Sequence, residues 1–482
     1  MSQAPVVVWF RDDLRLADHP ALSRAAASGA PVVCLYIRET PSPGQRPMGA
    51  AAGWWLAQSL RALDASLRGI GNGLVLRSGT AGKVIADVVA ATGAGTVLWN
   101  RRYDGGGIAV DKALKATLRA DGLEVESLPG NLLREPWEVK SAAGDPMKVF
   151  SPFWRAHQRL GDIRAPLRAP QALAHVAAPL PSEDLASWDL EPTRPNWASA
   201  FPDAWTPGEA GAQEALSVFL DRGIAGYADG RDHPDRPSTS RLSPHLRFGE
   251  ISPVQIWHQA HIAAGMDHGR DLAKFLAEIG WREFAYHLLF HWPTLASDNF
   301  QPRFDGFPWR SDTAALRAWQ RGLTGYPLVD AGMRELWQTG WMHNRVRMVV
   351  ASFLVKHLLI DWREGESWFW DTLVDADVAN NPASWQWVAG SGADAAPYFR
   401  IFNPILQGEK FDPRGDYVRR WVPELADLPA AVIHAPWQAP PAVLAKAGVR
   451  LGDTYPAPVV DHDAARERAL AALSEIRETS AA

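Results

Sequence analysis

The chain has 482 residues, 47% of them hydrophobic, enough to bury a large core and fill about two to four domains, which excludes a wholly disordered chain. A formal charge of -5 excludes a uniformly basic nucleic-acid binder, so any phosphate contact must come from a local basic patch. A single cysteine, Cys34, excludes disulfides, cysteine-rich zinc sites and protein-ligated iron–sulfur clusters and fits a reducing compartment. Met1 to Phe10 has no basic leader region, and no uninterrupted run of roughly 18 apolar residues occurs, so the expectation is a soluble cytoplasmic protein without membrane contact. The 23 tryptophans exceed ordinary packing needs. Core packing is still the default for Trp54, Trp55, Trp292 and Trp319.

In chain order, short β-branched runs (Val6–Phe10, Pro31–Ile37, Gly73–Arg77, Thr96–Asn100) alternate with helical stretches such as Ala52–Leu67. This pattern predicts a Rossmann-like α/β domain with a parallel sheet over residues 1–135. Trp9-Phe10-Arg11-Asp12-Asp13 follows the first strand in place of a G-x-G-x-x-G turn, so ordinary dinucleotide binding there is unsupported. Residues 136–209 read as a long connector, with eight prolines between Arg164 and Pro207. Apolar periodicity over Asp271–His291, Ala331–Trp337 and Arg345–Trp362 predicts an all-α domain over 210–425. A tail over 426–482 ends in an amphipathic helix near Ala464–Ile476.

Several segments concentrate groups able to do chemistry. Glu278, Trp281 and Arg282 fall at i, i+3 and i+4 of a helix, either pointing a carboxylate, an indole and a guanidinium into one space or forming a plain Glu278–Arg282 ion pair. Trp341-Met342-His343-Asn344-Arg345-Val346-Arg347-Met348 crowds polar groups before an apolar helix, and these need internal carboxylates or an anionic ligand. Asp375 and Asp377 are the nearest such carboxylates; their ordinary reading is an Asx turn or helix cap, and the lack of neighbouring His or Glu in ligand register argues against a metal. Thr239-Ser240-Arg241-Leu242-Ser243-Pro244 can receive a phosphate at a helix N-terminus, or Ser243 simply caps that helix.

Together with Trp9-Phe10-Arg11-Asp12-Asp13-Leu14-Arg15-Leu16, Ala396-Pro397-Tyr398-Phe399-Arg400-Ile401-Phe402-Asn403-Pro404 and Gln407-Gly408-Glu409-Lys410-Phe411, these strings resemble the photolyase and cryptochrome superfamily in family order over nearly the whole chain. The resemblance implies an α/β antenna domain and a helical domain holding a U-shaped FAD. By matching motif, Tyr227 and Thr239 to Ser243 would hold the FAD phosphates and ribitol. Arg347, Asp375, Ala376 and Asp377 would line the isoalloxazine, with Asn381 at flavin N5. Glu278, Trp281, Asn344 and Met348 would contact a pyrimidine dimer, with Trp387 as the opposite wall. Trp309, Trp362 and Trp385 match the electron-hopping chain, and Arg231, Arg282, Arg345, Arg400 and Gln407 complete the contacts to ultraviolet-damaged DNA. Flipping a base lesion into such a pocket needs aromatic faces and polar edges together, which these residues supply.

Relatives that repair (6-4) photoproducts present a histidine pair, absent beside Met348, so the resemblance implies a deoxyribodipyrimidine photolyase acting on cyclobutane dimers, of the bacterial class III or class I branch. A cryptochrome-like photoreceptor or a (6-4) photolyase is the alternative, and a light-independent flavin oxidoreductase would need a nicotinamide site that the sequence does not offer. Folate-binding relatives carry an Asn-Glu pair where this chain has Tyr103-Asp104-Gly105-Gly106-Gly107. A methenyltetrahydrofolate antenna held by aromatic stacking is therefore expected, with deazaflavin, a second flavin or no antenna as alternatives. A monomer without an obligate protein partner is the expectation.

Overall fold

The computed structural model describes residues 3–177, 180–265, 269–395 and 399–479, so Ala396, Pro397 and Tyr398 of the motif string lie outside the described residues. The four expected strands form: β1 (Val6–Phe10), β2 (Val32–Glu39), β3 (Leu74–Gly79) and β4 (Thr96–Asn100). A fifth, β5 (Glu124–Leu128), goes beyond the sequence reading, because Glu-Val-Glu-Ser-Leu has one β-branched residue and lies at the sheet edge with Glu124 exposed. All pair in parallel in the order β3-β2-β1-β4-β5, with Val6 in register with Val32 on one side and Thr96 on the other. The central strand β1 is buried throughout, as a parallel strand covered on both faces requires.

Helices α1 (Pro20–Ser28), α2 (Ala50–Gly69), α3 (Ala81–Thr92) and α4 (Gly105–Ala120) alternate with the strands. Ile85, Val88, Leu114 and Leu118 of α3 and α4 pack with Val7, Trp9, Leu35, Val97 and Trp99 into one core. Trp54, Trp55 and Trp319 are buried, in keeping with the packing default.

The chain forms two compact units whose limits differ from the sequence divisions. The first comprises Met1–Pro195, Trp205–Ala225 and Ser240–Thr294, and the second Asn196–Ala204, Gly226–Thr239 and Leu295–Ala482. The first unit thus takes in α5 (Phe150–Arg159), α6 (Glu209–Arg222), α7 (Pro253–Ala264) and α8 (Gly269–His291). Specific polar contacts explain this. Glu209 of α6 accepts from the backbone N–H groups of Leu16 and Ala17 (2.7 and 2.9 Å), Ser252 donates to Asp18 (2.5 Å), and Glu283 of α8 accepts from the N–H groups of Leu133 and Arg134 (2.9 and 3.3 Å). The proline-rich connector is tied to the sheet domain by backbone bonds from Leu173 to Ile70, Val32 to Ala174 and Glu183 to Leu76.

The second unit is helical: α9 (Pro327–Thr339), α10 (Asn344–Ser352), α11 (Trp362–Thr372), α12 (Asn380–Ala389), α13 (Pro404–Phe411) and α14 (His462–Thr479) are its longer elements. The periodic stretch Arg345–Trp362 is not one helix. After Ser352 it passes into a π-helical turn at Phe353–His357, Leu359 takes a left-handed conformation (φ 54°), and Asp361 caps a new helix by accepting from the N–H of Arg363. No helix among the described residues is long and apolar enough to cross a membrane.

Candidate functional site

In the second unit, α10 carries the polar cluster read from Trp341 to Met348. Burial holds the His343 imidazole neutral, pushing it down to about 4, and its Nδ1 accepts from the N–H of Arg345 at 3.2 Å. Asn344 is exposed and Met348 half-buried, four residues apart on one helical face. Arg347 finds the carboxylate that the sequence called for: its Nη1 and Nη2 donate to Asp375 Oδ1 and Oδ2 at 3.1 and 2.8 Å, and its Nε donates to the Met342 carbonyl at 2.7 Å.

Asp377 follows its ordinary reading as well. Its Oδ1 accepts from the N–H groups of Ala379 and Asn380 (2.8 and 2.7 Å), an Asx turn at the entry to α12. Ala376 is buried between the two acids in sequence. Asn381 is buried too, and both donors of its amide go to Glu366, to Oε1 at 2.7 Å and to the carbonyl at 3.1 Å. With Nδ2 so committed, Oδ1 is the amide's remaining polar atom, an acceptor. Nothing in the sequence distinguishes the buried Glu366 from the exposed Glu364.

The cations split differently from expectation. Arg345 pairs with Asp232 at 2.7 Å and lies over Phe411, and Arg231 reaches the other oxygen of Asp232 at 3.8 Å and lies over Tyr227. One carboxylate thus serves both guanidiniums, whereas Arg400 is exposed. Gln407 on α13 has a buried Oε1 without a hydrogen-bond partner among the described residues. Trp387 is half-buried on α12. Of the three hopping candidates, Trp362 and Trp385 are buried and Trp309 partly so. Trp362 donates to Asn299 Oδ1 at 2.9 Å, and Trp385 fills the notch at Gly365 of α11, where a Cβ would lie 2.1 Å from its ring.

In the first unit the Glu278, Trp281, Arg282 trio does not converge. Arg282 is buried and donates to the Asn131 carbonyl at 2.7 Å, lying also over Tyr286, because the loop after β5 offers a buried acceptor. The Glu278–Arg282 pair is replaced by Lys274–Glu278 at 3.6 Å. Glu278 and Trp281 remain half-buried. Ser240, Arg241, Leu242 and Ser243 belong to this unit, whereas Tyr227 and Thr239 belong to the other. Arg241 takes φ 52° and lies over Trp205, 4.1 Å from the ring centroid. Ser243 is not the cap: the short helix Ser243–Arg247 has Leu242 at that position, and no side chain caps it.

A family model described as the FAD binding domain of DNA photolyase matches residues 275–475, and one described as DNA photolyase matches residues 6–171. A deoxyribodipyrimidine photo-lyase of Agrobacterium fabrum is 56% identical over 480 residues, the full length of both chains. The chain belongs to the photolyase and cryptochrome family. Within that family it is 40% identical to cryptochrome-1 of Arabidopsis thaliana over 99% of this chain and 71% of that one. A solved class III photolyase from Agrobacterium tumefaciens shares its fold with a TM-score of 0.96, at 56% identity, over 99% of this chain and 98% of the other. The second unit's residues fit the FAD of the family: an Arg–Asp couple presents donors and acceptors suited to an imide edge, and Asn381 is held with an acceptor to offer.

Proposed function

We propose that this chain is a deoxyribodipyrimidine photolyase that splits cyclobutane pyrimidine dimers in DNA under blue light. The observation that carries the reading is the Arg347–Asp375 couple beside an Asn381 amide clamped by Glu366, inside the stretch matched by the FAD-binding family model. Reduced FAD held there would supply light-driven electron transfer to the dimer. The chain's own work is then orientation and electrostatics. Arg347, Asp375, Ala376 and Asp377 hold the ring edge, and Asn381 presents Oδ1 to an N–H donor. Tyr227 and Thr239 to Ser243 hold the phosphates and ribitol.

For the substrate, Trp281 and Trp387 each supply an aromatic face to a flipped dimer, while Glu278, Asn344 and Met348 contact its edges. The carboxyl O–H of Glu278 donates a hydrogen bond to the dimer where negative charge develops. Arg400 is the exposed cation for a phosphate, with Gln407 alongside; Arg231 and Arg345 must first loosen from Asp232, and Arg282 stays a structural contact. Trp385, Trp362 and Trp309 carry electrons between the surface and an oxidised flavin. The chain works in the cytoplasm as a monomer without an obligate partner. A cryptochrome-like receptor is the second reading, favoured by the 40% identity to the Arabidopsis protein.

An antenna of the folate class is part of the proposal. The crevice at the carboxyl ends of the strands, where a doubly wound sheet takes a nucleotide, is filled by the chain itself. Arg102 pairs there with Glu39 and Asp12, Arg247 pairs with Asp12, and Gly106 presses on Gly44 and Gln45. These internal contacts argue against a deazaflavin or a second flavin there. An aromatic patch lies elsewhere in the same unit. Trp137, 39% exposed, lies 5.4 Å from Phe290, and Phe290, His291 and Trp292 follow one another at 5.0 and 6.0 Å, with Lys148 5.5 Å from Trp292. Glu135, two residues before Trp137, is buried, its Oε2 has no hydrogen-bond partner among the described residues, and burial pushes its pKa up from the ordinary carboxyl value. Stacking rings, a carboxylate for N–H donors and a cation for an anionic tail are what methenyltetrahydrofolate requires.

The deciding experiment takes an absorption spectrum of the purified protein, then incubates it with ultraviolet-damaged oligothymidylate in blue light or darkness with reductant. Flavin bands with light-dependent reversal are expected, and Glu278→Ala should lower the repair yield more than the flavin content. Flavin without reversal would favour the receptor or a (6-4) lesion. A near-ultraviolet band lost in Trp137→Ala marks the antenna as folate; a deazaflavin or second-flavin spectrum, or no second chromophore, would refute it.

A further inference from the structure

The aromatic face that Trp281 offers is not a single ring. Helix α5 is seated on α8 where Gly280 removes a side chain, since a Cβ there would come within 2.6 Å of the Trp154 ring. Phe150 and Trp154 stand at i and i+4 on α5, with their rings nearly parallel at 6.4 Å and 10°. With Trp154 in the Gly280 notch, Phe150 falls on the next residue of α8. Its ring lies 3.7 Å from that of Trp281, at 10°. Phe284, three residues further along α8, meets both rings edge-on at 6.0 Å. Phe150 is buried, and Trp281 is half-buried.

A tryptophan standing alone on a helix turns about two side-chain torsions, and a base stacking on it must first freeze that motion at an entropic cost. Parallel contact with Phe150 has already fixed the indole plane. It also covers one face, so a pyrimidine can stack only on the other. We propose that Phe150 is a positioning residue for lesion recognition: by backing Trp281 it presents a flipped pyrimidine dimer with a pre-set aromatic face. The inference rests on the proposed role of Trp281 as a lesion contact, and the experiment separates failure of the one from failure of the other.

Binding of damaged single-stranded oligothymidylate is titrated in darkness with the flavin-loaded full chain, using the parent, Phe150→Ala, Phe150→Tyr, Trp281→Ala and the Phe150→Ala, Trp281→Ala double variant. Phe150→Ala is expected to weaken binding about threefold to tenfold, the range for one lost aromatic contact. Phe150→Tyr should restore it, and in the double variant the Phe150 change should add almost nothing to the loss from Trp281→Ala, since it acts through that ring. Affinity for undamaged oligothymidylate and flavin content should hold. Additive losses, or full affinity in Phe150→Ala while Trp281→Ala binds poorly, would overturn the proposal and leave the lesion contact standing. Full affinity in Trp281→Ala would overturn both. Should Phe150→Ala not fold, Phe150→Leu fills most of the space without a planar ring and takes its place.

Discussion

Replacing Lys356 by methionine tests how the segment bearing Arg400 is held. Lys356 is 2% exposed at the π-helical turn; its Nζ donates to the Arg400 carbonyl at 2.5 Å and lies 4.3 Å from the centre of the Phe399 ring. Burial, with repulsion from Arg400 second, pushes its ammonium down from 10.5 to about 7. At 1.36 kcal/mol per unit that shift corresponds to roughly 4–5 kcal/mol against the charged form in the fold. The methionine forfeits the hydrogen bond and leaves the Arg400 carbonyl without that donor, which offsets about 2–3 kcal/mol of it. Lys356→Met, which keeps the volume and drops the charge, should therefore stabilise the protein at pH 6 by on the order of 2 kcal/mol. The pH dependence is the stronger check. Because the folded value lies below the unfolded one, the unfolded chain binds more protons between about 7 and 10.5, and the parent gains stability as pH rises through that window. Between pH 7 and 9 this one group contributes roughly 2–3 kcal/mol, and the methionine variant lacks it. Urea midpoints of the flavin-loaded protein across that range provide the measurement, since other titrating groups cancel in the difference. Parallel pH profiles for parent and variant would refute the reasoning.

Three further outcomes follow from the site. Asp375→Asn leaves the Arg347 fork without its charged partner, at about 2 kcal/mol; purified protein should show a lower flavin-to-protein absorbance ratio with unchanged helical circular dichroism. Glu366→Ala frees the Asn381 amide to rotate, and since a hydrogen bond to a carboxylate contributes about 1.5–3 kcal/mol, the photoreduced flavin should reoxidise in air about tenfold faster or more, followed at the flavin absorption bands. Trp385→Phe should largely abolish photoreduction of oxidised protein in blue light, yet leave repair by chemically reduced protein at the parent rate.

Which of these residues the sequence announces depends on whether the signal is local. The runs Val6–Phe10 and Thr96–Asn100 carry their own β-branched pattern and form strands, whereas Glu124–Leu128 becomes one only because an open sheet edge accepts it. The Arg347–Asp375 couple is legible because cations crowded before a buried helix demand a carboxylate, and the chain supplies one nearby in sequence. Helical spacing also brings Glu278 and Arg282 onto adjoining positions, but spacing says nothing about competitors, and the Asn131 carbonyl takes Arg282 inward. Asp232 is likewise invisible as the shared partner of Arg231 and Arg345, being one acid among 54. Phe150 is the extreme case. It lies in a stretch that reads as connector, and its role depends on a glycine 130 residues away that lets α5 sit down on α8. A periodic pattern states which side chains share a face; what that face meets is fixed by long-range packing. The residues that position a ligand contact, as opposed to making one, are therefore the last to be readable from sequence.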